Sequence, residues 1–240
     1  VALAAAAMAE RGQEPKRWSE VPRAVFSPAE RLKTMDVDGI DYSVLYPSVS
    51  GFAGQNFGSV VDPDLEIACV QAYNDWLIEE WAEASPRLVP QCIVPLWPMD
   101  STIAEINRAI KKGHKGVIYP ASPMELRRVP HINDPAYDPL WATCQDLGVP
   151  VCFHAGGSAK IQMSAGAAFK PAVAAAFSDV VRSVSSIAVV ANLLLARVLD
   201  RFPRLKVVFA ESSIGWGAYE LEYADYQSAD DGLPSGGYVL

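Results

Sequence analysis

Two side chains in this 240-residue chain combine residue type and position in a way that suits catalysis. His154 ends the apolar run Pro150–His154 (PVCFH) and is followed by Ala155-Gly156-Gly157. Missing side chains beside an imidazole leave room for a ligand or metal ion to approach. Glu211 ends a second apolar run, KVVFAE, and is followed by Ser212-Ser213-Ile214-Gly215-Trp216. A carboxylate there is costly to bury alone and needs a cation, a metal or a hydrogen-bond donor. An imidazole and a carboxylate of this kind could act as metal ligand and general acid/base. The plainer alternatives, a capped core histidine and a structural ion pair, stay open at this level.

The elements that must position these two groups follow from the apolar pattern. Strands are expected at Tyr42–Tyr46, Leu88–Leu96, Gly116–Tyr119, Pro150–His154 and Lys206–Ala210. Helices are expected at Pro28–Met35, Cys69–Ala84, Thr102–Lys112 and Tyr137–Leu147, and in two or more pieces over Ala165–Arg201. Ile103, Ile106 and Ile110 give the third of these helices one apolar face, and Gly113 stops it. The strands are continuous apolar runs, each separated from the next by a helix. That pattern implies parallel pairing with both faces covered. A barrel and an open doubly wound sheet both fit. No Gly-rich phosphate loop follows any strand, which counts against a nucleotide-binding sheet. In a parallel barrel the residues just past each strand converge on one mouth. Here these are Pro47, Ser48, Pro95, Trp97, Tyr119, His154 and Glu211.

Composition narrows the function classes. Half of the residues are hydrophobic, 20% are charged, and the formal net charge is −8. No basic block occurs, so a nucleic-acid partner is not expected. The four cysteines, Cys69, Cys92, Cys144 and Cys152, form no C-x-x-C pair and read as reduced residues of a cytoplasmic protein. The apolar opening, Val1–Ala9, is too short to span a bilayer. It reads as a helix or an interface arm.

Several segments together resemble the amidohydrolase-related family, which includes the aminocarboxymuconate-semialdehyde and resorcylate-type decarboxylases. They are RLKTMDVDGIDYSVLYPS (31–48), RLVPQCIVPLWPMD (87–100), KKGHKGVIYP (111–120), DPAYDPLWATCQDLGVPVCFHAGG (134–157) and LDRFPRLKVVFAESSIGWGAYELEYAD (199–225). The resemblance implies a TIM-type (β/α)8 barrel with one divalent metal at its mouth, zinc first and manganese as the alternative. Family ligands are two residues of an H-x-H or E-x-H motif on the first strand, a His after the fifth and an Asp after the eighth. His154 matches the fifth-strand ligand, and Glu211 stands where a catalytic His commonly follows the sixth strand. A carboxylate can take that acid/base role if its pKa is raised.

This sequence has no H-x-H and no closing Asp motif. The expectation is therefore that the first and last barrel strands are missing from the chain. It would form a single barrel domain, with residues 1–27 an N-terminal arm, 28–226 the barrel core and 227–240 a C-terminal loop. His114 and His131 are poor substitute ligands and read as structural or solvated. Tyr119 and Trp216 are candidates to line a substrate pocket, with a core role equally open for Trp216. Arg127, beside Arg128 in the loop Ala121–Pro135, is a candidate carboxylate clamp. The function expected is a metal-dependent hydrolase or non-oxidative decarboxylase acting on a small carboxylated substrate, assembled as a homodimer or larger homo-oligomer. Val1–Ala9 and Ala165–Ala176 are its candidate interface segments. A metal-free barrel serving as a binding or assembly subunit is the alternative.

Overall fold

The apolar runs form strands β1 (Ser43–Leu45), β2 (Leu88–Cys92), β3 (Gly116–Ile118), β4 (Val151–His154) and β5 (Val207–Ala210). This is seen in a computed structural model that describes residues 17–48, 50–155, 173, 176–177, 180 and 185–230. All four pairings are parallel, and the order follows the chain, β1-β2-β3-β4-β5. A doubly wound sheet reverses its order at a switch point. This sheet does not. Among the described residues it is open, with β1 and β5 as its edges.

Helices α1 (Pro28–Asp38), α2 (Pro63–Trp76), α3 (Met99–Lys112), α4 (Asp138–Leu147), α5 (Ser185–Leu195) and α6 (Gly215–Asp230) alternate with the strands. Local chemistry sets their ends. The Asp62 carboxylate caps α2 by accepting from the Asp64 and Leu65 amides, and Pro63 opens the helix. The chain then continues through a π-helical turn, Leu77–Trp81, that buries Leu77 and Trp81. A 3-10 turn over Ala82–Ala84 follows, so the expected helix over Cys69–Ala84 is three consecutive helical types. Gly148 ends α4 in a left-handed conformation. Of the long segment expected to be helical from Ala165, α5 and the short helix Val198–Arg201 are described. Val1–Ala9 lies outside the described residues, as does most of Ala165–Ala176.

Side chains alternate across a strand, so each face has its own set. Cys92, Val117, Val151 and Phe153 pack in one buried cluster with Ile106 and Ala109 of α3 and with Leu140, Trp141 and Cys144 of α4. The other face carries Val44, Gln91, Ile118, Cys152, His154 and Val208. Its Val44 and Val208, on the two edge strands, are 48% and 39% exposed.

The strand expected over Leu88–Leu96 stops at Cys92 because a side chain takes over its backbone. Asn74 donates to the Ile93 carbonyl at 2.8 Å and accepts from the Ile93 amide at 3.0 Å. It also donates to Glu105, a buried carboxylate gripped in two-pronged fashion by Arg108. His114 belongs to this assembly, on the side of the sheet away from the strand C-termini. It is buried, its Nε2 lies 3.1 Å from the Asn74 carbonyl, and its Nδ1 has no partner.

Burial holds the pKa of His114 below its ordinary 6.5, against the opposing pull of Glu105 and Asp75. The unfolded chain therefore binds more protons than the folded one as pH falls below about 6.5, and stability is lost in that direction. Urea unfolding at pH 7 and pH 5.5 should show this loss. His114→Leu should flatten that part of the profile.

Candidate functional site

Strand register brings His154 and Glu211 together. His154 is the last residue of β4 and pairs with Ala210, the last of β5, while the Ala155 amide donates to the Ala210 carbonyl at 2.9 Å. Glu211 is the next residue, at the C-terminal end of the sheet. Its Oε2 lies 3.8 Å from His154 Nε2, with the imidazole 4% and the carboxylate 67% exposed. That separation is too long for a hydrogen bond. It suits two groups that one proton or cation could serve.

The tautomer of His154 is fixed by its other nitrogen. Nδ1 lies 2.7 Å from the Ala155 carbonyl, which can only accept, so Nδ1 carries the proton. Nε2 then faces Glu211. Metal-ligating histidines are commonly held in this way, with the second nitrogen donating to a backbone carbonyl. The imidazole therefore fits a metal ligand. Catalytic zinc ordinarily takes three protein ligands, and His154 with Glu211 makes two. Among the described residues no group of three or more His, Cys, Asp or Glu side chains could hold a metal ion. A third donor would come from outside them.

Glu211 sits at φ 54° and Ser213 at φ 59°, left-handed conformations that side chains disfavour. The turn is held from beneath. The Trp216 indole N–H donates to the Ser212 carbonyl, the Trp216 ring meets Phe209 edge-on, and the Ser212 hydroxyl lies 2.6 Å from that of Ser186. Backbone strain of this size costs about 1–3 kcal/mol and clusters at functional sites. Asn tolerates the left-handed region better than Glu. Glu211→Asn is therefore expected to raise stability by up to about 1 kcal/mol in thermal unfolding while lowering activity.

Tyr46 and Phe52 complete the surroundings of the imidazole. Phe52 stacks on it at 4.9 Å and 17° between planes, and Tyr46 meets it edge-on at 5.2 Å. Burial, with the Cys152 thiol nearby, pushes the Tyr46 hydroxyl above its ordinary range. Sequence reasoning singled out neither ring. Tyr46 ends the YSVLY run and directly precedes Pro47 and Ser48, so its place after a strand could have flagged it. Phe52 lies beyond any such signal.

The other expected site residues are used differently. Tyr119 is fully buried, packs on Tyr137, and donates its hydroxyl to the Leu96 carbonyl at 3.0 Å. It does not open onto a mouth. Arg127 donates to the Glu66 carboxylate at 2.8 Å and to the carbonyls of Val60 and Trp97 at 3.1 Å each. Those bonds commit its guanidinium to joining loops at the C-terminal end of the sheet. His131 bonds Asn133 within its own loop.

A parallel α/β sheet with a histidine and a carboxylate at its strand C-termini defines a class in which such ends carry the chemistry. A family model described as amidohydrolase (Amidohydro_2) matches residues 7–230, and the chain belongs to that family. Solved structures agree in fold. An amidohydrolase from Mycobacterium avium subsp. paratuberculosis K-10 is 21% identical with TM-score 0.65, over 94% of this chain and 57% of that one. The 2,6-dihydroxybenzoate decarboxylase from Rhizobium is 23% identical with TM-score 0.61, over 85% and 61%. A D314N mutant of 5-carboxyvanillate decarboxylase from Novosphingobium aromaticivorans, with bound manganese and 3-methoxy-4-hydroxy-5-nitrobenzoic acid, is 18% identical with TM-score 0.64, over 85% and 56%. The chain spans less than two thirds of the length of each of these three. No curated protein sequence matches it.

Proposed function

We propose that this protein is a metal-dependent enzyme that decarboxylates, or hydrolyses, a small carboxylated organic substrate, and that its five strands are an arc of a (β/α)8 barrel. The observation that carries this reading is the His154–Glu211 pair, with Nδ1 held by the Ala155 carbonyl and Nε2 turned toward the carboxylate. Two solved structures of the same fold are decarboxylases of aromatic acids, and one of them holds manganese. Both support the decarboxylation reading, while the amidohydrolase of the same fold keeps hydrolysis open. The metal would be manganese or zinc, and when bound it would polarise the substrate's carboxylate and adjacent oxygen.

His154 would hold that ion through Nε2. Glu211, largely exposed, would hold or deliver a proton at the reacting atom. Tyr46 and Phe52 would exclude water around the imidazole. A cytoplasmic setting and a homo-oligomeric state belong to the same proposal; the first is supported by the four free thiols. Among the described residues no helix is long and apolar enough to cross a membrane.

The test is CO2 release from hydroxylated benzoic acids, followed with added Mn2+ or Zn2+ and again with chelator. Metal-dependent release is expected. Turnover that is unaffected by chelator would overturn the proposal. The alternative, a metal-free binding module, draws on the two-donor count above. Absence of bound metal after reconstitution, together with absence of turnover, would favour it.

A further inference from the structure

We infer that Phe52 is a positioning residue, one that sets the plane of the His154 imidazole through its stacked ring and so keeps Nδ1 on the Ala155 carbonyl. The inference rests on the proposed role of His154 for its functional meaning, but its geometry is independent of any metal. A single hydrogen bond from Nδ1 to the Ala155 carbonyl leaves an imidazole free to tilt about that bond. Phe52 lies nearly parallel to the imidazole, and Tyr46 contacts it at 67° to its plane. Both aromatic rings thereby restrict how the imidazole can tilt.

The loop that presents Phe52 is built to hold one shape. Gly51 and Gly54, on either side of it, stand at φ 81° and φ 72°. A Cβ on Gly51 would come within 2.4 Å of the Gln55 side chain, and one on Gly54 within 3.3 Å of Ile93 Cβ. Gln55 Oε1 accepts from the Ala53 amide at 2.8 Å, and the Gly54 amide donates to the Gly51 carbonyl at 2.9 Å. The Asn56 amide donates to the Ser50 carbonyl at 2.9 Å. Six residues are thus tied by three hydrogen bonds around one phenyl ring. A loop that merely covered the sheet would not need two left-handed glycines and a side-chain bond across its tip.

Phe52 is half-buried, so changing it should leave the fold intact. The experiment compares the full-length wild type with Phe52→Leu, Phe52→Tyr and Gly51→Ala by long-range 15N–1H correlation of the histidine rings at pH 8. The chain has three histidines, so assignment is direct. The wild type should show His154 as the Nδ1–H tautomer, with ring protons shifted upfield by the stacked phenyl. Phe52→Leu and Gly51→Ala should mix the tautomers and remove the upfield shift, while Phe52→Tyr restores both. Mn2+ affinity should fall about 10–100-fold in Phe52→Leu, the range for an outer partner of a metal-bound histidine. His154 ring signals in Phe52→Leu identical to wild type would overturn the inference. A tautomer that changes as expected in a protein that binds no metal would leave the positioning role standing and remove the metal reading instead.

Discussion

Arg127→Met is expected to cost about 3–5 kcal/mol of stability, the penalty for stranding a buried charge. Glu66 is 1% exposed in its side chain, and Arg127, at 24%, is the cation paired with it. The remaining partner of that carboxylate is the Leu96 amide, 2.6 Å from Oε1. Removing the guanidinium leaves one neutral donor for a charged group. It also frees the Val60 and Trp97 carbonyls, loosening the loops after β1 and β2 together. Chemical unfolding of single and double variants checks the cause. Glu66→Gln combined with Arg127→Met should recover most of the loss, because no uncompensated charge remains. A double variant as unstable as the single one would show that packing, not charge, is responsible.

His154→Asn is expected to abolish turnover with little change in stability. Asn can occupy the site and keep a polar group near the Ala155 carbonyl, but it has no nitrogen lone pair to turn toward Glu211. The expected loss in metal affinity exceeds the 10–100-fold typical of outer partners, since an inner ligand is removed. Calorimetric Mn2+ binding and the CO2 assay measure the two effects. Glu211→Gln should separate them. It should weaken metal binding less than His154→Asn does, since the imidazole and an amide oxygen remain, and lose turnover through the missing proton-transfer group.

The strand–helix alternation was legible because the strands are mostly short apolar runs closed by Pro, Gly or a helix signal. His154 and Glu211 were legible for the same reason: each is the first polar residue after such a run. What escaped were relations between distant residues. Arg127 reads in sequence as a clamp for a substrate carboxylate, and the carboxylate it holds is Glu66, 61 positions earlier inside a helix. The early end of β2 depends on Asn74, 19 positions before Ile93. Phe52 reaches His154 through the shape of a glycine-hinged loop, which no periodicity encodes. Tyr119 sits at a strand end as expected, yet the Leu96 carbonyl claims its hydroxyl.

The proposed function rests on His154 Nε2 as the nitrogen offered to a metal ion. Paramagnetic broadening tests it most directly, because Mn2+ erases the signals of nuclei close to it. Titrating Mn2+ into the 15N-labelled protein is predicted to remove the His154 ring resonances first, while His114 and His131 remain. Intact His154 signals at saturating Mn2+, or broadening centred on His131, would contradict the account.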